Sequence, residues 1–209
     1  KKRRNDEDTG PNTGGMGSTA WPEFWNEEFA SWVVDHVMKP AIRAMAARGT
    51  PFSGVLYAGL MLTDQGPKVL EFNCRLGDPE AQVILPLFKG DLATVMLSCG
   101  KGTLSSETVE WDKTLFVVGV VLASSEYPET SAVGQGIEVA GLGKDDDDTL
   151  ILHGATMLSE DGIRILLKPK AGRILTVVGL GGSLPEAREK AYARVERIRI
   201  PGSRFRRDI

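Results

Sequence analysis

The sequence predicts an α+β fold, on three observations. Phe29, Val33, Val37, Ile42 and Met45 recur at helical spacing within Phe24–Arg48. Gly54–Thr63 and Pro67–Asn73 flank Asp64–Gln65–Gly66 and read as a hairpin around that turn. From Thr114 the pattern changes to strands, and Leu115–Ala123 is a nearly continuous apolar run suited to a buried one. Ile137–Val139, Leu150–Ala155, Ile163–Leu167 and Arg173–Val178 read as further strands, and Pro185–Ile198 as a closing helix. A chain of 209 residues can bury a real core as one large or two small domains. The change of pattern places a division near residue 110, with a small mixed module over 111–209.

The net charge is -3, and basic residues are scattered apart from short clusters at both ends. That argues against a general nucleic-acid binder and leaves small anionic ligands open. Cys74 and Cys99 have no zinc-like spacing and give no disulfide framework. No stretch resembles a signal peptide or a spanning helix, so the expected setting is the reducing cytoplasm, with no membrane partner.

In chain order, Lys1–Asp8 is a charge run of the kind a solvated tail also shows. Gly10–Gly17 cannot be a helix interior, because its glycines carry an entropic cost and Pro11 fixes φ. Such a loop suits a close approach of backbone to another group, and its successive N–H groups can form an anion nest. No G-K-[ST] follows, so it is not a Walker A loop, and a plain tight connection remains open. In the following helix the apolar stripe is expected to be core, Pro40 to kink or divide it, and Gly49 to stop it. His36, mid-helix, reads as a satisfied surface histidine.

The hairpin leads into Val69–Glu80, V-L-E-F-N-C-R-L-G-D-P-E. Strand periodicity puts Glu71 and Asn73 on one face, one pleat apart. A carboxylate and an amide oxygen side by side are hard ligands suited to Mg²⁺ or Mn²⁺ carried by nucleotide phosphates. Arg75 can clamp a phosphate or carboxylate in bidentate fashion, and Asp78 and Glu80 follow within the turn. The spacing alone equally describes a solvent-facing strand edge running into a charged turn. Short helices are expected over Pro79–Leu87 and Asp91–Ser98, with Pro79 in a first turn and Asp91 near an N-cap. The N-terminus of the first is a favourable place for an anion. Cys74 has no accompanying His and is expected to pack. Asp145–Asp148 is expected to face water rather than hold Ca²⁺.

Three stretches carry a resemblance. L-Y-A-G-L-M-L-T-D-Q-G-P-K-V-L-E-F-N-C-R-L-G-D-P-E, D-T-G-P-N-T-G-G-M-G at Asp8–Gly17, and Phe205–Ile209 resemble the phosphoribosylamine–glycine ligase family of ATP-grasp enzymes. The resemblance runs nearly end to end and implies the C-terminal part of an ATP-grasp domain over 1–110, then a small mixed α/β C-terminal domain over 111–209. It also implies that the chain corresponds to about the C-terminal half of such a ligase, whose N-terminal half is then a partner.

By resemblance the activity is ATP-dependent ligation of glycine to 5-phosphoribosylamine through a glycyl phosphate. The implied cofactors are ATP and Mg²⁺ or Mn²⁺. Glu71 and Asn73 would hold the metal and nucleotide, and Arg75 and Asp78 would be catalytic. Lys2, Arg3, Asp8, Asn12, Thr13 and Gly15 would line the phosphates. Another ATP-grasp carboxylate–amine ligase, or a catalytically silent ligase-derived module, remains an alternative. Some positions depart from the family pattern. Ser124–Glu129 stands for G-G-Y-P-G or K-G-Y-P-G, Gly154–Ala155–Thr156 for Ala-Gly-Thr, and Ala171–Gly172–Arg173 for Gly-Gly-Arg. Lost glycines remove positive-φ freedom, which is expected to weaken substrate binding if those loops touch the ribose phosphate.

Overall fold

A computed structural model describes residues 1–105, 109–129, 136–144, 146–168 and 170–209; Asp145 of the aspartate run lies outside them. Among the described residues, no helix is long and apolar enough to cross a membrane.

Arg3–Asn5 (β1) and Thr9–Asn12 (β2) pair antiparallel, and Gly17–Ala20 (β3) follows. Glu27–Val33 (α1) and Lys39–Ala47 (α2) are joined by a wider, π-type turn over Val34–Met38. Pro40 lies in the first turn of α2, and the widened turn before it absorbs the hydrogen bond its ring cannot make. Asn26 caps α1 by accepting from the Phe29 N–H at 2.8 Å, and Gly49, at φ 76°, follows the end of α2.

Tyr57–Thr63 (β4) and Gly66–Asn73 (β5) form the hairpin, with Thr63 opposite Gly66, so the turn proper is Asp64–Gln65. Glu80–Ile84 (α3), Phe88–Lys89 (β6), Leu92–Lys101 (α4) and Glu110–Trp111 (β7) come next. Asp91 is the N-cap of α4, accepting from the N–H groups of Ala93 and Thr94. Its carboxyl is held below the usual range, chiefly by the Thr94 hydroxyl. Then come Phe116–Ser124 (β8), Thr149–His153 (β9), Thr156–Leu158 (β10), Ile165–Leu167 (β11), Arg173–Gly181 (β12), Leu184–Val195 (α5) and Ser203–Arg204 (β13). The expected strand Ile137–Val139 is not one. Glu138 makes only an isolated bridge to Leu166, with the Val139 N–H donating to the Ile165 carbonyl at 2.8 Å and the Leu167 N–H to the Ile137 carbonyl at 2.9 Å.

The chain forms two compact units, each discontinuous in sequence. The first comprises Lys1–Ala20, Asp78–Leu87 and Lys113–Ile209. Its antiparallel sheet has β8 at the centre. β12 lies on one side of β8 with β9 beyond, while β3 and β13 share the other side at different ends. Val118, Val120 and Leu122 pack with Ala187, Ala191 and Val195 of α5. On the opposite face, a Cβ added at Gly119 would lie 2.9 Å from a methyl of Val83 on α3. Covered on both faces, β8 must be apolar at every position, which is why its sequence does not alternate. Each fully buried valine there contributes roughly 1.5–3 kcal/mol.

The C-terminal segment is tied into this unit by Arg206, whose side chain is fully buried. Its guanidinium donates to both Asp208 oxygens, to Asp8 at 2.8 Å and to the Arg3 carbonyl at 3.0 Å.

The second unit comprises Trp21–Gly77 and Phe88–Asp112. The helical stripe is core only in its first half: Val33 and Val37 are buried, but Ile42 and Met45 are exposed. The outer aromatic residues support one another instead. Trp25 meets Phe29 edge-on, Phe29 stacks on Trp32, and Trp32 stacks on His36 with ring centroids 4.9 Å apart. His36 Nδ1 lies 3.0 Å from the Trp32 carbonyl, consistent with a satisfied surface histidine.

Candidate functional site

The β4–β5 register decides where the first set of residues points. Tyr57 lies opposite Asn73 and Gly59 opposite Glu71, after which a bulge shifts Leu60 opposite Val69. Glu71 and Asn73 therefore share a face, as their spacing requires. Gly59 makes room for this: a Cβ there would come within 3.2 Å of Glu71 Cγ. Arg75 is exposed; its Nη2 donates to Asn73 Oδ1 at 3.3 Å and its Nη1 to the Leu76 carbonyl at 2.8 Å. Among the described residues, no group of three or more His, Cys, Asp or Glu side chains could hold a metal ion. The donor set is thus one carboxylate and one amide oxygen, which fits an ion whose remaining ligands are phosphate and water. Cys74, expected to pack, is exposed: it follows the last strand residue, where the chain turns out of the hairpin.

The second set lies in the other unit, around Gly10–Gly17. Thr13 and Gly15 are buried, while Lys2, Arg3, Asp8 and Asn12 are exposed. The Thr13 N–H donates to the Lys2 carbonyl and the Met16 N–H to the Lys1 carbonyl, each at 2.8 Å. The Gly14 N–H donates to the Tyr127 hydroxyl at 2.8 Å, and the Gly15 N–H to Thr13 Oγ1 at 3.0 Å. Four consecutive amides are engaged within the protein, so this stretch is not the open nest that its glycines suggested. The glycines answer to side chains. A Cβ at Gly15, whose φ is 125°, would fall 2.4 Å from the Pro79 ring; one at Gly14 would fall 2.8 Å from the Tyr127 hydroxyl.

Asp78 does not stand alone. Arg173 forks onto it, Nη1 to Oδ1 and Nη2 to Oδ2, each at 3.0 Å, and Nη1 also donates to the Asp78 carbonyl at 2.7 Å. The same Nη1 lies 3.3 Å from the Gly14 carbonyl. Gln82 donates to Asp78 Oδ1 at 2.9 Å. Asp8 accepts from Arg206, and that guanidinium holds its carboxyl below the usual range. Arg3 donates to the Gly10 carbonyl, and Asn12 pairs with Arg3 across β1–β2.

Residues 1–81 match the family model of the phosphoribosylglycinamide synthetase ATP-grasp (A) domain, and residues 117–209 that of its C domain. The chain belongs to the phosphoribosylglycinamide synthetase family. It is 40% identical over 208 residues to a phosphoribosylamine–glycine ligase of Leifsonia xyli, covering 100% of this chain and 49% of that protein. A ligase of the same name from Streptomyces coelicolor is 41% identical over 213 residues, with 100% and 50% covered. The crystal structure of phosphoribosylamine–glycine ligase from Thermotoga maritima superposes with a TM-score of 0.81 at 34% identity, over 100% of this chain and 49% of that one. The biotin carboxylase domain of Hydrogenobacter thermophilus 2-oxoglutarate carboxylase shares the fold alone, with a TM-score of 0.61 at 13% identity over 91% and 40% of the two chains. The chain spans about half the length of the curated relatives it matches.

Within this synthetase family chain, the departures from pattern spare the residues that hold the loop. Tyr127–Pro128 and Gly172–Arg173 keep the pattern, and Tyr127 and Arg173 are the two that reach Gly14. Sequence reasoning singled out neither of these two loop-holding residues; the unaltered pairs inside altered motifs were the available signal. The lost glycines cost no backbone strain, because Ser125, Glu126, Glu129, Ala155 and Ala171 all have negative φ.

Proposed function

We propose that the chain is the C-terminal half of an ATP-dependent carboxylate–amine ligase that joins glycine to 5-phosphoribosylamine. The products are glycinamide ribonucleotide, ADP and phosphate, as in de novo purine biosynthesis. One observation carries the reading: both domains of the family, in order, span a chain in which Glu71 and Asn73 share a strand face beside Arg75.

ATP transfers its γ-phosphoryl group to the glycine carboxylate, and the amine of phosphoribosylamine attacks the glycyl phosphate. That amine is already nucleophilic, so no side chain need be a strong base. Glu71 and Asn73 would hold Mg²⁺, or Mn²⁺ in its place, and a bound ion would supply positive charge to offset that of the phosphates. A bound magnesium salt of ADP in the biotin carboxylase neighbour supports Mg²⁺. Arg75 stabilises anionic oxygens, and Asp78 acts by fixing its surroundings. Lys2 and Arg3 face phosphate groups, and Asp8, Asn12, Thr13 and Gly15 shape the loop beside them.

The reading assigns 1–110 to the ATP-grasp domain and 111–209 to the C-terminal domain, in a cytoplasmic enzyme completed by the N-terminal half of the ligase. The test is ADP release by this chain combined with that half, omitting glycine, phosphoribosylamine and Mg²⁺ in turn. Loss of ADP release with each omission is expected. Equal release without glycine, or with bicarbonate or D-alanine in its place, refutes the reading.

A further inference from the structure

We propose that Arg173 and Tyr127 are positioning residues that hold the Gly10–Gly17 loop in shape for the ligase reaction, with Asp78 as the anchor of Arg173. This rests on the ligation reading above for its functional part and on geometry alone for the rest.

The loop is gripped at one residue through both its N–H and its carbonyl. The Gly14 N–H donates to Tyr127 Oη at 2.8 Å, and the Gly14 carbonyl accepts from Arg173 Nη1 at 3.3 Å. Both gripping side chains are rooted in the most deeply buried strands of the unit. Arg173 begins β12, and Tyr127 closes the turn that follows β8, where its N–H donates to the Ser124 carbonyl at 3.1 Å. The Tyr127 ring also packs on the backbone next to Arg173: a Cβ at Gly172 would sit 3.1 Å from it. Arg173 cannot swing away, because its two terminal nitrogens are fixed on Asp78.

The fork needs a planar guanidinium. A lysine supplies the charge but only a point contact, so it cannot hold Asp78 and the Gly14 carbonyl together. The Arg173 and Asp78 side chains remain 24% and 52% exposed, and a pair so exposed adds little to folding stability. Its effect falls on the shape of the loop. Alignment of bound groups is sensitive to small displacements of this kind, since misplacement by about 1 Å can cost 10²-fold in rate.

The experiment uses the ligase polypeptide carrying both halves, with Tyr127→Phe, Arg173→Lys, Asp78→Asn and the Arg173→Lys/Asp78→Asn double variant. Amide hydrogen exchange is read at Gly14 and, as a control, at Val177 in β12. Expected in Tyr127→Phe is at least tenfold faster exchange at Gly14, with exchange at Val177 and the melting temperature unchanged. Arg173→Lys is expected to lower kcat at least tenfold with KM for ATP within twofold, and the double variant to lose no more than Arg173→Lys alone. Unchanged exchange at Gly14 in Tyr127→Phe, or a wild-type kcat in Arg173→Lys, overturns the proposal. If the wild-type protein shows no glycine-dependent ADP release, the ligation reading fails. The exchange arm then still decides whether Tyr127 holds the loop.

Discussion

Arg75 reaches back two residues to Asn73, its Nη2 lying 3.3 Å from the amide oxygen. The oxygen assigned to a divalent cation is therefore already in contact with a positive group. Arg75 and the cation compete for it, and an anionic ligand resolves the competition by drawing Arg75 away. Arg75→Met in the two-half ligase should lower the Mg²⁺ concentration needed for half-maximal ADP release, and lower kcat as well. A Mg²⁺ titration of both proteins checks this. A higher Mg²⁺ requirement with unchanged kcat would refute it.

Glu71→Gln separates function from folding. Glu71 is exposed on its strand, with Gly59 opposite. Exposed substitutions usually stay within about 0.5 kcal/mol, so the melting temperature should barely move. On the proposed function, turnover should fall by about 10²-fold or more, because the carboxylate would supply charge to the metal–phosphate complex. Wild-type turnover at limiting Mg²⁺ would end the assignment of Glu71 as a ligand.

What the sequence made legible follows the physics of each signal. Period-2 alternation placed Glu71 and Asn73 on one face because a hairpin face is a local property. The Asp91 cap was legible for the same reason. The unbroken apolar run of β8 announced burial on both faces, but not its partners: Val83 and Ala187 lie far from it in sequence. The glycine loop was only partly legible for a related reason. Its glycines imply a close approach of some group, and only tertiary structure tells that the group is Pro79 or Tyr127 rather than a phosphate. Ile42 and Met45 carry a helical period that promises burial, yet a period cannot name the surface that would cover it.

Arg206 should be costly to remove. It is fully buried and donates to Asp8, Asp208 and the Arg3 carbonyl. Its guanidinium is the main cause of the lowered carboxyl pKa of both Asp8 and Asp208. A carboxyl depressed in the folded state stabilises the fold above its unfolded pKa and loses that contribution as pH falls through the folded value. Arg206→Met should therefore cost about 1.5–3 kcal/mol at neutral pH. Its deficit relative to wild type should shrink as pH falls below about 4, the ordinary carboxylate range. Urea unfolding of both proteins at the two pH values measures it, and a deficit independent of pH would show that the ion pairs contribute nothing.

Returning the family's glycines to the altered turn should not help. Ser125 and Glu129 have negative φ, and their N–H groups donate to the Gly202 and Glu126 carbonyls at 2.8 and 3.0 Å. Ser125→Gly and Glu129→Gly should each lower stability by about 0.4–1 kcal/mol, by freeing the unfolded chain. Thermal melts test this directly. A gain in stability from either would mean that the native turn is strained after all.

The second unit leads to the last prediction. On its hairpin Val69, Leu70 and Phe72 are 44%, 54% and 43% exposed, and Met61 and Leu62 are exposed on the facing strand. A two-stranded hairpin is marginal in water without a further strand or helix against it, so its exposed apolar side chains suit a covering partner. Glu71 and Asn73 lie on this same hairpin, so a site built there is no firmer than the surface beneath it. These 209 residues alone should therefore fail to bind ATP–Mg²⁺ tightly, and isothermal titration of the chain by itself should show no micromolar binding. Adding the N-terminal half of the ligase should restore binding and raise hydrogen-exchange protection across β4 and β5. Phe72→Ser should weaken that restoration while leaving protection of β8 and β12 as in the wild type. Micromolar ATP binding by the chain alone, or a Phe72→Ser variant that assembles as well as the wild type, would show that the hairpin needs no covering partner.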